Sequence, residues 1–180
     1  MGLLEDLVEE GKIRWYGWST DMVDRAESMV AGAHCTSIHF RLNAIYDNEE
    51  MRKLCSGSDL AGVNKDPLNK GILTGKFNAE STFPDDDILS QVSFKEESFA
   101  RRLKIVDALR EILTSGGRIM AHGAISYIWA FDERMIPIPG FKSIKQVKDN
   151  TGAMAYGPLS AQEVIEVQTI LAESEGENGE

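Results

Sequence analysis

The residues of this chain with the most definite chemistry lie in Pro137-Ile138-Pro139-Gly140-Phe141-Lys142-Ser143-Ile144-Lys145-Gln146, a run that ends at Asn150. Ser143 and Gln146 have capping-box spacing, which predicts a helix starting after Ser143 with the free N–H groups of its first turn facing outward. Orphan N–H donors, the positive end of a helix dipole and Lys142 just before them suit a phosphate monoester far better than a neutral ligand. The same short pattern also fits an ordinary strand-to-helix turn with an exposed lysine, so its weight depends on the elements that hold it. Cys35 and Cys55 stand alone without metal-ligand spacing and read as reduced, packed thiols.

At 180 residues, 42% hydrophobic and 27% charged, the chain can bury one sizeable core, and nothing in it demands two domains. A net charge of -10, with no basic stripe interleaved with aromatics, argues against nucleic acid as a partner. No apolar run is long enough to span a bilayer, and Met1-Gly2-Leu3-Leu4-Glu5-Asp6 carries no basic charge. A cytoplasmic protein without membrane attachment is therefore the expectation.

Leu3, Leu4, Leu7 and Val8 have helical spacing up to Gly11, and residues 13–17 then read as a short buried strand. Thr20 or Asp21 can cap a second helix carrying Met22, Val23, Ala26, Met29 and Val30 on one face. A strand at 37–40, a helix at 48–55 and a strand at 60–63 follow, then a long loop with Pro67, Gly71, Gly75, Pro84 and Asp85, Asp86 and Asp87. Ser93 and Glu96 form a capping box for a helix through Phe99, Leu103, Val106, Leu109 and Leu113, broken at Gly116-Gly117 and resumed from Ala124 to Trp129. The last strand, 135–138, leads into the phosphate motif, and Ser160 with Glu163 opens a final helix. The division expected is one unit over 1–172 and an acidic, disordered tail over 173–180. Short apolar strands alternating with helices mean βαβ units and a parallel sheet. About four units are present, roughly half of the eight in a (β/α)₈ TIM barrel.

The segments Gly11-Lys12-Ile13-Arg14-Trp15-Tyr16-Gly17-Trp18-Ser19, Pro67-Leu68-Asn69-Lys70-Gly71-Ile72-Leu73-Thr74-Gly75-Lys76, Gly117-Arg118 with Gly123-Ala124, and Pro137-Ile138-Pro139-Gly140 occur in the order and at the spacings of the aldo/keto reductases. The chain resembles the C-terminal half of that family over nearly its whole length. The resemblance implies a partial TIM barrel whose family transfers hydride from NADPH to a carbonyl without a metal. It implies that Ser19 binds the nicotinamide carboxamide, with Thr20 in place of an asparagine and His39 in place of a glutamine. Lys65 falls where relatives set an aromatic or an arginine against the nicotinamide ring, and lysine does not stack as either does. Pro67, Leu68, Gly71 and Leu73 match the loop that wraps the pyrophosphate. Gly140, Phe141, Lys142, Ser143, Gln146 and Asn150 match the segment that holds the adenosine 2′-phosphate and adenine, so NADP is expected over NAD.

The family's catalytic tyrosine, its lysine and aspartate partners and its substrate-binding histidine belong to the N-terminal half and match no position here. Tyr16, Tyr46, Tyr127 and Tyr156 read as packing residues, and no catalytic residue is assigned. One expectation is an NADP-binding half completed by an N-terminal half-barrel. The other is a non-catalytic nucleotide-binding or interaction module, including a truncated gene product. Two open sheet edges and apolar residues that would fill a closed barrel, among them Ile13, Ile38, Val63 and Ile136, also suggest self-association or loose folding.

Overall fold

The computed structural model describes residues 2–78, 80–81 and 97–176. The chain runs α1 (Gly2–Glu9), β1 (Tyr16–Ser19), α2 (Val23–Val30), β2 (Cys35–Arg41), α3 (Glu49–Gly57) and β3 (Ala61–Lys65). A 3₁₀ turn (Asn69–Thr74) and α4 (Glu97–Thr114) follow, then α5 (Met120–Trp129), β4 (Met135–Pro137), α6 (Ile144–Gly152) and α7 (Ala161–Gly176). The four strands pair parallel in chain order, β1-β2-β3-β4, as expected of consecutive βαβ units. Among the described residues no helix is long and apolar enough to cross a membrane.

β1 starts later than the 13–17 expected. Gly11 takes a left-handed φ of 71° and ends α1 in a cap where the N–H groups of Lys12 and Ile13 both donate to the Leu7 carbonyl, at 2.9 and 3.3 Å. Pairing begins only at Tyr16, whose N–H donates to the His34 carbonyl at 3.1 Å. Ile13 instead packs half-buried against the core.

The pleat also corrects which side chains face the open side of the sheet. Ile38 and Phe40 in β2 are wholly buried against the helices, so Ser37, His39 and Arg41 point the other way. Register pairs Ser19 with His39 and Arg41 with Lys65, and adds Val63 beside the exposed Ile136. The open face is therefore mostly polar, and Ile38 belongs to the core under the helices.

Two apolar clusters hold the fold. Ala26, Met29, Ile38, Phe40, Met51, Cys55 and Met135 fill the space between the sheet and α2 and α3. Leu109, Leu113, Ala124, Tyr127, Leu159 and Val167 join α4, α5 and α7, and Phe131 packs against both clusters. α4 and α5 approach so closely that a Cβ on Gly123 would meet the Leu113 carbonyl oxygen at 2.1 Å, which requires glycine there. Both cysteines are buried free thiols, and burial pushes Cys55 up to about 11, as befits inert packing residues.

Helix α7 runs past the expected boundary at 172. Its Ser174 carbonyl accepts a hydrogen bond from the Arg101 guanidinium at 2.7 Å, a cation satisfying an orphan acceptor near a helix C-terminus. Residues 173–176 are thus helical, while 177–180 lie outside the described residues, as do the expected Ser93–Glu96 capping box, Pro84 and Asp85 to Asp87.

Candidate functional site

Parallel pairing brings the C-terminal ends of all four strands to one rim. Ser19 ends β1, and its Oγ lies 3.0 Å from Nδ1 of His39 on β2. Thr20 is buried: its N–H donates to the His39 carbonyl at 3.0 Å and its hydroxyl accepts the Met22 N–H at 3.1 Å, which steers the chain into α2. His39 Nε2 is enclosed without a hydrogen-bond partner among the described residues, so this ring nitrogen is not presented to a ligand in this arrangement.

A charged network that sequence reasoning missed crosses this rim. Asp21 Oδ1 accepts the Arg41 N–H at 2.7 Å, prolonging the β1–β2 ladder by a side chain, while Oδ2 pairs with Lys65 Nζ at 2.9 Å. Burial pushes the Asp21 carboxyl up, but the Arg41 N–H and Lys65 outweigh it and hold it below its ordinary value. The Arg41 guanidinium donates to Asn69 Oδ1 at 3.1 Å, lies 3.3 Å from Asp66 Oδ2 and covers the Tyr46 ring at 4.7 Å. The sequence signal was present: an acid or base ends or follows β1, β2 and β3.

After β3 the loop is held by its own backbone. Asp66, Asn69, Lys70, Gly71 and Gly75 all take left-handed φ, and Asp66 Oδ1 accepts the Lys70 N–H at 2.6 Å. Pro67 and Leu73 are buried and Leu68 is half-buried, so these three pin the loop to the core. Gly71 carries the turn, and its N–H is spent on the Leu68 carbonyl at 2.9 Å. Any ligand along this loop meets backbone rather than the Leu73 side chain.

The segment after β4 has the local form its sequence implies. Ser143 caps α6, with its Oγ accepting the Gln146 N–H at 3.2 Å. The return bond differs: Gln146 Oε1 accepts the N–H of Lys142 rather than that of Ser143, drawing Lys142 down onto the helix start. The N–H groups of Ile144 and Lys145 have no acceptor among the described residues, and a Cβ on Gly140 would meet nothing within 4 Å. Asn150 Nδ2 reaches back to the Gly140 carbonyl at 3.4 Å, and Phe141 stands exposed beside them. A helix start of this form has the donors to accept an anion, and the exposed Phe141 lies open beside it.

A family model, the aldo/keto reductase family, matches residues 1–172. The chain is similar to the NADP(+) aldo-keto reductase yakc of Schizosaccharomyces pombe, at 28% identity over 86% of this chain and 47% of that protein. It is also similar to a probable aldo-keto reductase 1 of Glycine max, at 26% identity over 93% of this chain and 49% of that protein. Among solved structures, a glycerol dehydrogenase from Gluconobacter oxydans superposes with a TM-score of 0.77 at 25% identity, covering 95% of this chain and 53% of that one. The chain thus spans about half the length of the curated relatives it matches. With four parallel βα units in the order of that TIM barrel and a family match over nearly every described residue, the chain belongs to the aldo/keto reductase family.

Proposed function

We propose that this chain is the NADP-binding half of an aldo/keto reductase, serving NADPH-dependent carbonyl reduction when further strands complete its barrel. The observation that carries this is the start of α6: two unfilled N–H groups, Ser143 and Lys142 beside an open Gly140. That set of donors suits the dianionic 2′-phosphate that distinguishes NADP from NAD. Bound NADPH would supply the hydride. The chain's own contribution is to hold the nucleotide, through Lys142, Ser143 and the first turn of α6, against the rim formed by β1, β2 and β3.

NADPH should therefore bind more tightly than NADH, and Lys142→Glu should remove the preference by setting a carboxylate against a dianion. Fluorescence titration of both cofactors against both proteins checks this. Equal wild-type affinities, or no binding of either at millimolar concentration, would count against the assignment.

The sheet edges point to assembly. Trp18, 44% exposed, marks the free β1 edge, and Ile136 and Ile138, each 47% exposed, mark the β4 edge. The 180-residue chain is expected to self-associate through these edges, or to take up a complementary half-barrel when one is supplied. Sedimentation with a dye for exposed apolar surface tests it: a compact monomer that binds no dye would contradict the expectation.

A further inference from the structure

We infer that the Asp21–Lys65 pair is a bar across the rim that leaves the nicotinamide end of the nucleotide without a binding subsite, so the chain recognises NADP through its 2′-phosphoadenosine end alone. This rests on the NADP assignment above and adds to it where the affinity resides.

The geometry runs along the rim. A nucleotide whose phosphate sits at α6, after β4, has its other end over the tips of β3, β2 and β1, because ligands of such sheets lie across the C-terminal strand ends. The three strand spacings from β4 to β1 amount to about 14 Å, within the length of an extended dinucleotide. Lys65 on β3 reaches past Arg41 on β2 to meet Asp21 beyond β1, so one ion pair spans the places a ring would occupy.

The pair is braced. Asp21 is held from its other oxygen by the Arg41 N–H, and the Arg41 guanidinium is engaged by Asn69 and Asp66. Its side chains remain 35% and 38% exposed, so water still solvates both charges, and a ring laid over them would strip that water. An ammonium offers no flat face in return, unlike an aromatic ring or a guanidinium. Two acids and two bases also leave the rim near neutrality, with no net attraction for either redox state of the ring.

The experiment compares NADPH with 2′-phospho-ADP-ribose, which lacks only the nicotinamide, by calorimetric titration of the 180-residue chain. The two dissociation constants are expected to agree within about threefold, equivalent to less than about 1 kcal/mol for the ring. Lys65→Tyr should tighten NADPH at least about threefold and leave 2′-phospho-ADP-ribose unchanged. Wild-type NADPH binding tenfold tighter than the ring-less nucleotide would overturn the bar while leaving the NADP assignment standing. So would a Lys65→Tyr variant that shifts both ligands equally, because Lys65 would then be touching the shared phosphates. Binding of neither nucleotide would overturn the NADP assignment and the bar together.

Discussion

Supplied with NADPH and an aldehyde, the 180-residue chain is expected to reduce the carbonyl roughly 10² to 10⁴ times more slowly than a complete barrel carrying a positioned acid. Hydride delivery creates an alkoxide that needs a proton at once, and none of the four tyrosines is arranged to give it. Tyr16 donates to Glu5 Oε1 at 2.5 Å near the start of β1, away from the rim, and is pushed up to about 12 by burial and by that carboxylate. Tyr127 is wholly buried against Phe131, and burial raises it further still. Tyr156 donates to the Gly117 carbonyl at 3.0 Å. Tyr46 is near the rim, but its ring face is covered by Arg41. Among the described residues no lysine pairs with any of the four hydroxyls, and a tyrosine without such a neighbour is a weak acid at neutral pH. A spectrophotometric assay of NADPH consumption decides the matter, and robust turnover by the pure chain would refute the expectation.

The largest loss of stability is expected from Glu163→Ala, at about 3 to 5 kcal/mol, because it strands a buried guanidinium. Arg118 leads into α5 with its side chain only 7% exposed, and it donates to Glu163, to the Ser115 hydroxyl and to the Ile112 carbonyl. Glu163, in the first turn of α7, also accepts from the Ser160 N–H and hydroxyl, both at 2.8 Å, and from Ser115 at 2.7 Å. Burial pushes this carboxyl up, but Arg118 and the serine donors prevail and hold it at about 2. A folded-state value below the ordinary 4.5 means the contribution is complete above about pH 5 and is lost as pH falls toward 2. Denaturant midpoints should therefore separate wild type from Glu163→Ala widely at pH 7 and much less at pH 3. A separation that does not change with pH would show that the carboxylate is not the group responsible.

What the sequence made legible was local. The caps at Ser143 and Ser160 follow from side chains that bond N–H groups three residues ahead, and the structure contains both, whereas α2 starts after Met22 without the side-chain cap expected from Thr20 or Asp21. The parallel sheet followed from strand and helix alternation, which needs no exact boundaries. The facing of β2 was lost because alternation has a period of two, and nothing local says which member of a pair looks toward the helices. The start of β1 was lost to the cap of α1, whose hydrogen bonds extend to Ile13. The rim network was hidden because Asp21, Arg41 and Lys65 meet only once three strands lie side by side. In the turn after β4, the types Lys142, Ser143 and Gln146 were readable, but the bond from the Lys142 N–H to Gln146 reflects a turn geometry set by the exit from β4.

The strand order has a bearing on how such a protein can be divided. Because β1 to β4 lie in space as they lie in the chain, each βα unit emerging from the ribosome finds its pairing edge already made, and no early strand waits for a later one to slot between its neighbours. A sheet of this kind grows from one side. Removing units from either end relocates an edge instead of opening a gap, and the helices that cover the remaining strands keep their contacts. Sheets assembled in chain order are thus divisible at their seams, because a cut leaves a new edge rather than a hole in what has already folded.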